Sequence, residues 1–170
     1  MIDSLPVSCD LCGRTAISSF RELNEDELNR LSAQKTCAFF KKGQILMHEG
    51  ARAAGVYCIH SGQVKLFRMG TEGREQIIRF GQGGDLLGYR SVLSGEALSA
   101  SIQAISDTHA CFIPKSLFFD FIQENPKFSM EMMKKACHEL GEAGKLITNL
   151  AQKSVRERLA EVLMILRDTF

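Results

Sequence analysis

The sequence has almost no net charge of one sign. Its 21 Lys and Arg stand against 20 Asp and Glu in 170 residues, a formal charge of +1. Bulk attraction to nucleic acid or to an anionic membrane is thereby excluded, and any such contact must be local. Long apolar runs are missing too: the longest uncharged apolar runs are only a few residues, far below the roughly 20 that a membrane-spanning helix needs. The N-terminal MIDSLPVSCD has neither the basic start nor the apolar stretch of an export signal. Together these absences lead us to expect a cytoplasmic protein with no membrane contact. Catalytic signatures are absent as well. There is no His-x-His pair, no His-Glu-x-x-His, no Gly-x-Ser-x-Gly elbow and no Walker loop, so no enzymatic activity is expected.

What is present is the composition of a globular protein, 45% hydrophobic and 24% charged. Six cysteines without an export signal point to reduced thiols, metal ligands or redox sensors. Eleven of the fourteen glycines lie between Gly43 and Gly95, separating short apolar runs. The runs CAFFKK, QILMHE, VYCIH, QVKLFRM, EQIIRF, SIQAI and ACFIPK are rich in β-branched and aromatic residues. They read as the short strands of a sandwich or barrel, from about Cys37 to Pro114. Asn24 and Glu27, three residues apart, predict a capping box ahead of a short helix with Leu23, Leu28 and Leu31 on its apolar side.

After Pro114 the period lengthens toward helix, through SLFFDFIQEN to a second start at Asn125-Pro126. Met133, Ala136, Leu140, Ala143, Ile147 and Leu150 then recur at alternating spacings of three and four. This is the rhythm of a coiled-coil seam, flanked by the charged Lys134, Glu139, Glu142 and Lys145, and it predicts a homodimer. Gly141 and Gly144 interrupt the same helix. Ser154 and Glu157 predict another capping box just after a break at Gln152-Lys153. The helix that follows carries Val155, Leu159, Val162, Leu163 and Leu166 on one side, an apolar face that suggests further chain beyond Phe170. The expected organisation is therefore a Cys-containing segment at 1–20, a β-domain at 21–124, a dimerisation helix at 125–152, and a hinge with the first helix of a further domain at 153–170.

This order of elements resembles the Crp/Fnr family of bacterial transcription regulators over nearly the whole chain. The resemblance is carried by Lys42-Gly43-Gln44, Tyr57-Cys58-Ile59-His60-Ser61-Gly62, Gly84-Asp85-Leu86-Leu87-Gly88, Cys111-Phe112-Ile113-Pro114 and Ser154-Val155-Arg156-Glu157-Arg158-Leu159. It implies a mainly β fold with α: a double-stranded β-helix (jelly-roll, cupin-like) sensor barrel, a short N-terminal helix, a long dimerisation helix and one further helix. It also implies an effector-sensing and dimerising module that acts on DNA only through a C-terminal winged-helix domain not contained in these residues. The alternatives are a redox, iron-sulfur or haem sensor working through protein partners, and a cyclic-nucleotide module. A cupin-type metalloenzyme would gather two or three histidines with a carboxylate, whereas His48, His60, His109 and His138 lie far apart.

The resemblance places the effector pocket at Gly84, Asp85, Leu86, Leu87, Gly88, Tyr89, Arg90, Leu98 and Ser99. Cyclic-nucleotide members hold the ribose with a Glu in a Gly-Glu-Leu turn and the phosphate with an Arg before Ser or Thr. Here these positions read Gly88-Tyr89-Arg90 and Leu98-Ser99, and no basic residue lies between Ser91 and Thr108. A cyclic nucleotide is therefore not the expected ligand. Cys9-x-x-Cys12 and Cys111 match three of the four cluster cysteines of the oxygen-sensing members, and the fourth position is Ser18. An iron-sulfur cluster on Cys9, Cys12 and Cys111, half of a zinc site, a redox-active disulfide, and thiols with no ligand all remain open. Cys58 and Cys137 are expected to act only in packing.

Overall fold

The computed structural model describes residues 20–70 and 72–169. Cys9 and Cys12 lie outside them. The chain divides into two compact units, Met1–Glu131 and Met132–Phe170.

The first unit opens with α1 (Glu25–Gln34), in which both halves of the Asn24–Glu27 capping box form. Eight strands follow: β1 (Thr36–Phe40), β2 (Ile45–Met47), β3 (Gly55–Ser61), β4 (Gln63–Met69), β5 (Glu75–Gln82), β6 (Leu86–Leu87), β7 (Ser101–Ala104) and β8 (Thr108–Pro114). A short helix α2 (Tyr89–Ser94) lies between β6 and β7, and α3 (Lys115–Glu124) follows β8 directly. All pairing is antiparallel, in two four-stranded sheets ordered β1-β8-β3-β6 and β2-β7-β4-β5. This is the jelly-roll arrangement the sequence implied, with one correction. The ladders form two separate sheets and do not close into a continuous barrel.

Alternation along the strands decides which side chains enter the core. Ala110, Ile59 and Leu87 from one sheet meet Val64, Ile102 and Met47 from the other, with Leu98 completing the cluster and Phe40 and Tyr57 against it. Successive residues point to opposite faces, so Cys111, Ile113, Val56, Cys58 and Leu86 face the other way. There α1 and α3 cover the sheet, α1 against β8 and α3 against both β3 and β8. Both faces of β3 and β8 are thus shielded from water, which explains why these strands read as nearly continuous apolar runs. Phe118 and Phe121 on α3 converge with Phe20 on Phe128, at ring separations of 5.7–6.1 Å. Each buried ring contributes about 2–3 kcal/mol.

One polar node fastens this helical layer. Asn125 is buried between α3 and α4 (Pro126–Gln152). Its Oδ1 accepts the Phe128 and Lys127 amides at 3.0 and 3.1 Å, capping α4, while Nδ2 donates to Glu27 Oε2 at 2.8 Å and to the Glu22 carbonyl at 2.9 Å. The same Glu27 oxygen accepts the Asn24 amide of the capping box. Pro126, which has no N–H to lose, suits the first turn of α4.

The second unit holds most of α4 and then α5 (Val155–Thr169). Helix α4 ends at Gln152, and α5 is capped by Ser154, whose Oγ accepts the Glu157 amide while the Glu157 carboxylate accepts the Ser154 amide. The Ser154 hydroxyl and backbone amide, both donating to the Glu157 carboxylate, hold that carboxyl below the usual carboxylate range. Among the described residues no helix is long and apolar enough to cross a membrane.

Two substitutions test this account. Asn125→Ala removes a cap and leaves the buried Glu27 carboxylate short of a donor; it should cost about 2–4 kcal/mol in urea unfolding, whereas a loss under 1 kcal/mol would show the node to be incidental. Gly62 links β3 to β4 at φ +93°, and a Cβ there would meet the Asp107 carbonyl oxygen at 2.4 Å. Gly62→Ala should therefore destabilise the first unit by at least about 2 kcal/mol, read as a lowered thermal midpoint.

Candidate effector site

The segment placed by sequence at the effector pocket is assembled around β3. The Gly84 amide donates to the Ile59 carbonyl at 2.8 Å, and the Ile59 amide donates to the Asp85 carbonyl at 2.9 Å. Leu86 and Leu87 then pair with Cys58 and Tyr57 as β6, a two-residue strand the sequence pattern did not separate from its turn. Asp85 faces its own turn: Oδ2 accepts the Gln82 amide at 3.0 Å and lies 3.9 Å from the Arg79 guanidinium. Arg79 belongs to β5, so its approach to this turn depends on strand pairing that local spacing cannot reveal.

Residues 97–101 complete the segment by lying alongside residues 49–52. The Gly50 amide donates to the Leu98 carbonyl at 2.8 Å, the Leu98 amide donates to the Ala51 carbonyl at 2.9 Å, and Ser101 Oγ accepts the Glu49 amide at 2.9 Å. Leu98 is locked into the core by these bonds, at 6% exposure, and Tyr89 is 2% exposed. Arg90 and Ser99 are exposed. The fit to a cyclic nucleotide is poor at the two positions that would hold its polar groups, since a tyrosine and a leucine, both buried, stand where a Glu and an Arg would be needed. A buried phosphate facing Leu98 has no counter-charge to offset its desolvation.

His60 lies at the end of β3. Burial pushes its pKa down, and the electrostatic influence of His109 and Lys35 acts in the same direction. Burial likewise raises the Tyr57 hydroxyl. The His109 ring lies tilted against Phe39, with the ring centroids 4.9 Å apart.

The metal assignment meets a different obstacle. Cys111 is bonded to Cys37 across β8 and β1, with S–S 2.13 Å, and a disulfide sulfur offers no thiolate to iron or zinc. Of the three assigned ligands, Cys9 and Cys12 lie outside the described residues and Cys111 is engaged, so the described residues do not fit a cluster. No group of three metal-ligating side chains is found among them. The Cys37–Cys111 bond joins residues 74 apart in sequence, and the sequence reading missed it because only strand register brings them together. Cys58 is buried and Cys137 exposed.

Of the seam residues, Met133, Leu140 and Ile147 are 59%, 74% and 68% exposed in the single chain. Ala143 is exposed and Ala136 half-buried. The side chain of Leu150 is outside the description. Lys145 and Glu142 pair beside the seam at 2.7 Å, and this bond holds the Glu142 carboxyl below its ordinary range.

Comparison with known proteins bears on both halves. Residues 38–125, just over half of the chain, match the family model "Cyclic nucleotide-binding domain". The chain is 29% identical over 165 residues to the fumarate and nitrate reduction regulatory protein of Vibrio cholerae, covering 96% of this chain and 66% of that protein. It thus spans just under two thirds of that relative's length. Among solved structures, the sensor domain of the transcriptional regulator DNR from Pseudomonas aeruginosa superposes with a TM-score of 0.70 at 20% identity, over 81% of this chain and 91% of that one. The catabolite activator protein of Thermus thermophilus gives 0.69 at 24% identity, over 89% and 72%. These two likenesses establish the fold. The chain belongs to the cyclic nucleotide-binding domain family and is homologous to the sensor portion of the Crp/Fnr regulators.

Proposed function

We propose that this chain is the effector-sensing and dimerising part of a Crp/Fnr-type transcription regulator. Its signal passes along α4 and across the break at residues 153–154 to a DNA-binding domain beyond residue 170. The observation that carries this reading is the exposed apolar row Met133, Leu140 and Ile147, spaced for a partner helix and flanked by charge. The face of α5 adds to it: Val155, Leu159, Val162 and Leu163 are each at least 50% exposed, an apolar surface of the kind covered in a complete assembly.

Signalling of this kind needs no chemistry on a substrate. An effector must bind one arrangement of the module more tightly than the other, and its differential affinity sets how far the population shifts. Tyr89 and Leu98, buried where a Glu and an Arg would hold a cyclic nucleotide, support an effector of another class. The tie between Cys37 and Cys111 favours a second reading, in which the redox state of the cysteines is itself the signal. DNA contact is assigned to the further domain, because the mixed Arg156-Glu157-Arg158 run is no basic patch.

Light scattering checks the dimer. Leu140→Glu or Ile147→Glu places a charge in the seam on each protomer and should weaken association by more than about 100-fold, giving a monomer at micromolar protein. An unchanged oligomer would refute the seam. Calorimetric titration with cyclic AMP and cyclic GMP checks the pocket: neither should bind tighter than about 1 mM, and a micromolar Kd would overturn the assignment.

A further inference from the structure

Strand register sets three cysteines side by side. Cys111 on β8 stands directly opposite Cys37 on β1 and, on its other flank, directly opposite Cys58 on β3. Opposed residues on neighbouring strands project to the same face. The three side chains therefore form one row, with Cys111 in the middle, on the face that α1 and α3 cover. Cys37 and Cys111 are joined, and Cys58 keeps its thiol. Exposure is graded along the row: Cys111 and Cys58 are 4% and 5% exposed, while Cys37 at the edge strand is half-buried.

We propose that this row is a thiol–disulfide exchange site, in which Cys58 attacks Cys111 and releases Cys37. The proton of the Cys58 thiol passes to solvent or buffer. Its sulfur forms a bond to Cys111 Sγ as the Cys37–Cys111 bond breaks, and the electron pair leaves on Cys37 Sγ, which takes up a proton. One disulfide and one thiol are present before and after, so no oxidant or reductant is consumed.

The geometry favours this step over attack from outside. Displacement at sulfur is in-line, and a row with the attacked sulfur in the middle sets nucleophile and leaving group on opposite sides of it. Cys37 and Cys111 are joined at a Cα spacing of 3.9 Å, and an opposed antiparallel pair such as Cys58 and Cys111 stands about 4.5 or about 5.5 Å apart, within the roughly 4.4–6.8 Å that disulfides usually span. Either linkage is therefore reachable without a change of register. Its consequence is topological. β1 is an edge strand paired only with β8, so the Cys37–Cys111 bond ties that edge covalently. The Cys58–Cys111 bond lies inside the sheet, leaves β1 held by its hydrogen bonds alone, and delivers a thiol to Cys37, the most accessible position of the three. This inference goes beyond the regulator reading and does not depend on it.

The test uses the full chain carrying Cys9→Ser, Cys12→Ser and Cys137→Ser, oxidised so that Cys58 is its single thiol. It is incubated with N-ethylmaleimide without reductant, quenched in acid and mapped by mass spectrometry. The expected product is alkylated Cys37 with Cys58 linked to Cys111, and addition of Cys58→Ser should abolish it. Alkylated Cys58 with Cys37–Cys111 intact as the sole product would overturn the proposal. A second arm needs only one substitution: Cys37→Ser, treated with oxidised glutathione, should yield the Cys58–Cys111 linkage. Recovery of Cys111 as a glutathione adduct beside an unmodified Cys58 would count against the site even if the multiple variant failed to fold.

Discussion

Strand β8 has a neighbour on each flank and a covering layer on each face, and the rest of the first unit is arranged around that constraint. Its two-residue period sends Ala110 inward to the opposite sheet and Cys111 and Ile113 outward to α1 and α3. A slip of one residue would exchange these sets. It would drive His109 into the core and turn Ala110 toward the helices, so the register is fixed by burial on both sides at once. The same register brings Cys37, Cys111 and Cys58 into line, and β3 offers Tyr57 and Cys58 on its other flank to β6. Cross-link, core and candidate effector segment are three outcomes of one pairing.

The helical layer could slide on an apolar sheet face, since dispersion and burial have little direction. Asn125 supplies the missing direction. Its backbone amide closes α3 on the Phe121 carbonyl, and its two side-chain polar atoms have distinct tasks, Oδ1 starting α4 and Nδ2 reaching the capping box of α1. A buried amide with all these partners is specific in a way that the surrounding phenylalanines are not, because any displacement leaves a donor or acceptor unpaired. The sequence gives the local part of this node as two capping signals, Asn24 with Glu27 and Asn125 with Pro126. The bond between them spans 98 positions and could not be read from spacing.

That difference between local and long-range information separates what was legible from what was not. Seven strands were visible as apolar runs because period and turn glycines are local, and β6 escaped because two residues carry no period. The caps at Asn24 and Ser154 were legible for the same reason. In the candidate site, the loss of the Glu and Arg at positions 89 and 98 could be seen in the letters. What replaces them could not: Tyr89 and Leu98 are both buried, and Leu98 belongs to the cluster that joins the two sheets. Restoring charge at Leu98 would break the core that holds the segment in place. The pairing of Cys37 with Cys111 depends on sheet order, which no local pattern encodes.

Helix α4 shows how sequence and function are linked through stability. Gly141 and Gly144 lie within it, and a Cβ built on either would meet nothing within 4 Å. In the single chain, then, packing does not demand the missing side chains, yet each glycine costs the helix about 1 kcal/mol relative to alanine. A helix weakened by this much, with Leu140 and Ile147 flanking the weak point and exposed to water, draws little stability from its own turns in that stretch. Most helical stability comes from burial of an apolar face. On the proposed reading, the order of α4 around residues 140–147 is set by how well its seam is covered. A change that loosens the pairing also softens the helix leading to residues 153–154, so that association and helix order respond as one variable.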